Sequence, residues 1–261
     1  MERGKLDQGV MDRTDGRAEK PARPGLSLAF AVFVLGMFGV ASLGLLPLED
    51  NLPDGVDVPR AVLLLNPAIL VLVASFAGWF AAPRAGLHAP VLEEALVRGD
   101  WRLPLRAALM PALFVGVVGM VTLLAYGAIT ASYFASEGAE MAQPLATRML
   151  YGGITEEVLL RWGMMSVLAL LLLKVRLPRA AALWTANILA AVLFGLGHFP
   201  ILFAVMPDPP LWLLALVLAA NAGLGVLFGW LYMRRGLEAA IIAHALTHLF
   251  AVSVMAVLAA I

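Results

Sequence analysis

The sequence has no cysteine. Disulfides, thiolate metal sites and cysteine nucleophiles are excluded, and the redox state of its compartment leaves no mark on the chain. Charge is also scarce: Asp, Glu, Lys and Arg make up 14% of 261 residues, where soluble domains carry about 25%. That deficit argues against a water-soluble globule. The formal net charge is zero and the basic residues are scattered, which gives no footprint for nucleic acid. No connection is long enough for a soluble domain, the longest running from Pro83 to Arg102. What is abundant is apolar: 62% of residues, with a mean hydropathy of +0.90. Composition and length predict an all-α, polytopic transmembrane helix bundle, multi-pass in the cell membrane with lipid around it.

At about 20 apolar residues per crossing, the hydropathy pattern predicts about seven helices. They are Leu26–Leu46, Ala61–Ala82, Leu103–Ala131, Leu145–Leu173, Ala180–His198 with an extension to Met206, Leu211–Met233 and Leu237–Ile261. Residues 1–25 read as a disordered cytoplasmic tail and not as a cleavable signal peptide, because the following apolar run is too long and lacks a small-residue cleavage site. Residues 26–144 form an N-terminal set of helices, and 145–261 the set that carries the chemistry. Alternate connections are rich in cations: Arg3, Lys5, Arg13, Arg17, Lys20 and Arg23; Arg84, Arg98, Arg102 and Arg106; Lys174, Arg176 and Arg179; Arg234 and Arg235. The others hold only Arg60 and Arg148 beside several carboxylates. This alternation puts the N-terminus in the cytoplasm and the C-terminus outside. Ala89–Gly99 reads as a short interfacial helix, and Pro200 is expected to bend or end the fifth crossing.

The chemistry concentrates in Gly152-Gly153-Ile154-Thr155-Glu156-Glu157-Val158-Leu159-Leu160-Arg161-Trp162. A charge at bilayer depth costs at least ~2.5–3.5 kcal/mol per group on insertion scales. Glu157 and Arg161 are four apart and share a helix face, where they can pair. Glu156 points elsewhere and is expected to find its partner on another helix. His198 follows Phe194-Gly195-Leu196-Gly197, and His244 and His248 project from one face of the last helix, a spacing that suits a metal or a shared hydrogen-bond network. Two carboxylates and three imidazoles facing lipid would be costly, so they should converge on one polar cavity. A lone Glu–Arg pair would serve as a structural bridge, which leaves the second carboxylate and the histidines surplus to that role. Glu93-Glu94-Ala95-Leu96-Val97-Arg98 has the same spacing in a polar connection, and reads, with His88, as ordinary surface pairing.

Glu156-Glu157-x-x-x-Arg161, Phe194-x-x-x-His198 and His244-x-x-x-His248, in that order on successive apolar segments, resemble the CPBP family of intramembrane proteases. That family includes type II CAAX prenyl endopeptidases and bacteriocin-processing or self-immunity proteins of the abortive-infection type. The resemblance covers about Met149 to Phe250. It implies peptide-bond hydrolysis inside the membrane by a glutamate-activated water, with a peptide or protein substrate, prenylated or leader-type, and no cofactor. In this reading Glu156 and His198 hold and deprotonate the water. Arg161 keeps Glu157 ionised, Phe194 forms a wall, and His244 and His248 stabilise the oxyanion. The family commonly has Asn where this chain has His248, which favours the alternative in which Glu156, His198, His244 and His248 ligate Zn²⁺. Trp162 stands where glycine is frequent and is expected to narrow the cavity. Two other classes fit buried carboxylates and histidines: a proton- or cation-coupled transporter, and a non-catalytic binding or immunity protein of the same fold. No internal repeat supports transport.

Overall fold

Six helices among the described residues are long and apolar enough to cross a bilayer. The computed structural model describes residues 24–51, 58–136 and 143–260, so nearly all of the predicted tail lies outside them. The described part is an all-α transmembrane bundle. Its first helices are α1 (Leu26–Ser42), α2 (Leu65–Ala85), the short α3 (Pro90–Val97) and α4 (Arg102–Ser136). The predicted fifth crossing is divided at His198 into α6 (Arg179–Leu196) and α7 (Phe199–Val205). Pro200 occupies the first turn of α7, where a missing N–H costs nothing. Next are α8 (Leu211–Arg235) and α9 (Leu237–Ala259), separated only by Gly236.

The predicted fourth crossing is helical throughout, but not uniformly α. After one turn at Leu145–Thr147 the chain winds with i→i+5 spacing over π1 (Arg148–Glu156) and again over π2 (Val158–Met165), then returns to α geometry in α5 (Ser166–Lys174). The hydroxyl of Ser166 bonds the carbonyl of Arg161, also five residues back, at 3.2 Å. Such wide turns are uncommon and recur at functional sites. Glu157 sits at the junction of the two stretches.

In lipid there is no hydrophobic drive between helices, so close backbone approach through small residues holds them together. α1 packs along π1, where Thr155 donates to the Gly36 carbonyl at 2.7 Å and Thr147 to the Ser42 carbonyl at 3.0 Å. α2 packs along π2 and α5. There Trp162, fully buried, donates from Nε1 to the Ser75 carbonyl at 3.0 Å and lies against Gly78. This corrects the expectation for Trp162: its ring fastens π2 to α2 and does not narrow the site. Trp162→Phe is expected to cost about 1–2 kcal/mol in detergent unfolding, from a lost hydrogen bond and a small void. At the predicted outer end, Arg60 grips Glu49 through two bonds of 2.8 Å and the Gly44 carbonyl at 2.9 Å. The guanidinium hydrogen bond lowers the Glu49 pKa from the usual 4.5 to about 2. This clasp therefore contributes above the ordinary carboxylate range and is lost as pH falls through about 2.

Candidate active site

Glu157 is completely buried and has two partners on one oxygen. Its Oε1 lies 3.2 Å from Arg161 Nη1 and accepts from His244 Nδ1 at 2.9 Å. The first contact is the predicted i, i+4 pair; the second ties the π1–π2 junction to α9. Because a carboxylate oxygen only accepts, His244 carries its proton on Nδ1 and turns Nε2 away from Glu157. Arg161, 1% exposed, also donates from Nη2 to the Gly225 carbonyl at 3.0 Å. Its guanidinium carbon lies 5.0 Å from the Phe194 ring centroid and 5.6 Å from that of Phe228, so two aromatic faces and a carboxylate enclose the cation.

The rings form a continuous stack. Phe228 lies flat against His244 at 4.5 Å, and His244 against His248 at 5.2 Å. Phe194 meets His244 edge-on at 5.9 Å and His198 edge-on at 4.9 Å. His198 donates from Nδ1 to the Phe194 carbonyl at 2.9 Å, which in the neutral ring leaves Nε2 as a free base. The structure thus brings Glu157, Arg161, Phe194, His198, His244 and His248 together from π1–π2, α6, the α6–α7 junction and α9.

Glu156 departs from expectation. It is half-buried and makes no hydrogen bond or ion pair with any described residue. Among the described residues no partner on another helix meets it, while Glu157 takes both Arg161 and His244. Glu156 remains as a second, unengaged carboxylate beside the network.

Gly152 and Gly153 let α9 come close, each in its own way. A Cβ on Gly153 would fall 2.8–3.0 Å from Ala245 side-chain and backbone atoms, so this glycine is required for packing. A Cβ on Gly152 would lie 3.1 Å from His248 Nε2 and 3.8 Å from His244 Nε2. The space that a side chain at 152 would fill is therefore faced by both imidazole nitrogens. Gly153→Ala is expected to destabilise by about 1–3 kcal/mol, since backbone cannot give way. Gly152→Ala should leave the unfolding midpoint nearly unchanged and lower activity at least about tenfold. Unfolding curves and turnover on the two variants check this contrast. Of the other motif glycines, Gly195 packs against Leu218 of α8, whereas Gly197 has only its own turn nearby.

No three His, Asp or Glu side chains among the described residues gather closely enough to hold a metal. The second Glu-Glu-x-x-x-Arg copy behaves as predicted: Arg98 and Glu94 form an exposed pair at 3.5 Å, and His88 lies 3.4 Å from Glu93.

Sequence reasoning missed Phe228 and the Gly225 carbonyl, both from α8. An aromatic ring and a backbone carbonyl in an apolar helix carry no pattern that sets them apart.

Fold and site together define a multi-pass helical membrane protein with a buried carboxylate–arginine–imidazole network. Residues 138–250 match the family model described as Type II CAAX prenyl endopeptidase Rce1-like, which bears out the resemblance carried by the three motifs. That stretch, which is similar to the Rce1-like domain, spans every residue of the network. No curated protein and no solved structure matches the chain.

Proposed function

We propose that the protein is an intramembrane endopeptidase that hydrolyses a peptide bond of a membrane-associated substrate, prenylated or leader-type, with water activated by Glu156. The observation that carries this reading is the division of labour between adjacent carboxylates. Glu157 is consumed by Arg161 and His244, while Glu156 is open and His198 offers a free Nε2. A structural bridge needs only the first.

In the mechanism, Glu156 and His198 Nε2 hold the water, and Glu156 takes its proton as the oxygen attacks the scissile carbonyl. The carbonyl oxygen sits in the space beside Gly152. There His248, protonated at Nε2, donates to the developing charge. His244 turns Nε2 to the same space while Glu157 fixes its ring through Nδ1. Glu156 then passes its proton to the leaving amine, and the C–N bond breaks. Arg161 and Phe194 touch no reacting atom; they hold Glu157 and the two rings in place.

The test is cleavage of a mixed library of membrane-proximal and lipidated peptides by the purified full chain in detergent. Wild type should hydrolyse a subset that names the substrate class, and His198→Ala should be inactive at an unchanged melting temperature. Absence of hydrolysis by well-folded wild type across the library would reject the protease reading in favour of transport or binding without turnover.

A further inference from the structure

The end of the bundle that the charge pattern assigns to the cytoplasm holds a cleft of about 330 Å³ that none of the stacked rings lines. Its walls come from three places: the α2–α3 connection at Leu87 and His88, the start of α4 at Pro104 and Ala107, and the end of α8 at Met233, Arg234 and Arg235. Arg234 and Arg235 are exposed and make no ion pair with any described residue. The carboxylate in the cleft, Glu93, accepts from the Ala89 N–H at 3.0 Å and lies 3.4 Å from His88.

The α4 wall continues out of the cleft. Leu103, Ala107 and Met110 are spaced i, i+4, i+7 and share one face. Ala107 lines the cleft, while Leu103 and Met110 are each 71% exposed on a membrane-spanning helix. The cleft therefore has two arginines at its mouth and an apolar stripe leading from it toward the bilayer. Paired guanidinium groups suit a phosphate, which they can grip through parallel N–H···O bonds. A soluble anion would have no use for the stripe.

We propose that this cleft binds an anionic glycerophospholipid, its phosphodiester on Arg234 and Arg235 and an acyl chain along Leu103, Ala107 and Met110. The floor of the cleft makes the site relevant to α9. Leu237 N–H donates to the His88 carbonyl at 3.0 Å, and Glu238 Oε1 accepts from Leu92 N–H at 2.9 Å. Just before them Gly236 turns the chain from α8 into α9 at φ 92°, where any side chain would also strike Pro90. A lipid in the cleft thus rests on the joint that fastens α3 to the helix bearing His244 and His248.

Binding is measured by native mass spectrometry of the full chain in detergent, titrated with phosphatidylglycerol or phosphatidylcholine. Three variants are compared: Arg234→Gln/Arg235→Gln, Arg234→Lys/Arg235→Lys, and Lys174→Gln/Arg176→Gln, which removes two cations at the same end of the bundle but outside the cleft. Phosphatidylglycerol should be retained at least about tenfold better than phosphatidylcholine by wild type and by the Lys174/Arg176 variant. The glutamine variant of the cleft should lose this preference and the lysine variant keep part of it. Glycerol phosphate at equal concentration should not displace the lipid. Equal losses in both glutamine variants would reduce the effect to bulk surface charge and overturn the proposal. So would an absent headgroup preference, or displacement by glycerol phosphate, which would indicate a soluble-anion site. The readout is lipid mass, so it stands or falls separately from hydrolysis.

Discussion

Glu157→Ala is expected to destabilise the protein by about 3–5 kcal/mol, the cost of leaving one member of a buried ion pair without its partner. Arg161 would keep the Gly225 carbonyl and its two aromatic faces, but its charge, at 1% exposure, would lose its ion-pair partner. His244 would lose its only hydrogen-bond acceptor in the network. Because Glu157 and Arg161 act on each other, the double variant Glu157→Ala/Arg161→Ala should be markedly less destabilised than the sum of the single changes. Denaturant unfolding in detergent measures the cycle. An unfolding midpoint unchanged by Glu157→Ala would mean that this carboxylate holds nothing, and the account of the network would fall.

Glu156→Gln should do the reverse. The substitution keeps the shape of a half-buried side chain that bonds no described residue, so stability should stay within about 0.5 kcal/mol. Hydrolysis should fall by about 10²–10⁴-fold, the range for losing a positioned general base. Two neighbouring glutamates would then separate cleanly, one carrying stability and the other turnover. If Glu156→Gln instead kept the wild-type rate, the water would have to be activated elsewhere. The Glu157–His244 couple would then be the remaining candidate.

Much of this was legible in the sequence because a bilayer simplifies the reading. Apolar runs near 20 residues marked each crossing, and Pro200 marked the break at His198 that the structure places between α6 and α7. The Glu157–Arg161 pair followed from helical spacing, and convergence of the histidines from the cost of charge in lipid. The i→i+5 winding of π1 and π2 was not legible. Apolar periodicity distinguishes a helix from a strand, but in a segment apolar on nearly every face it does not tell one helical pitch from another. Trp162 was misjudged for a related reason. Its sequence position beside Arg161 suggests the site, but its rotation about the helix directs it to Ser75 and Gly78. The Glu157–His244 bond was out of reach because it joins residues 87 apart, and which carboxylate takes the imidazole depends on packing, not on spacing. Glu238 escaped notice as well, since a lone acid at the start of a helix usually just favours its N-terminus. Here it also receives the Leu92 N–H of another helix.

The proposed function turns on activation of the water by this chain's own glutamate, without a metal. The most direct measurement is the hydrolysis rate of one purified preparation before and after exhaustive chelation, with its metal content determined on the same sample. The expected result is an unchanged rate in metal-free protein, abolished by Glu156→Gln. Activity lost on chelation and restored by stoichiometric zinc would contradict it.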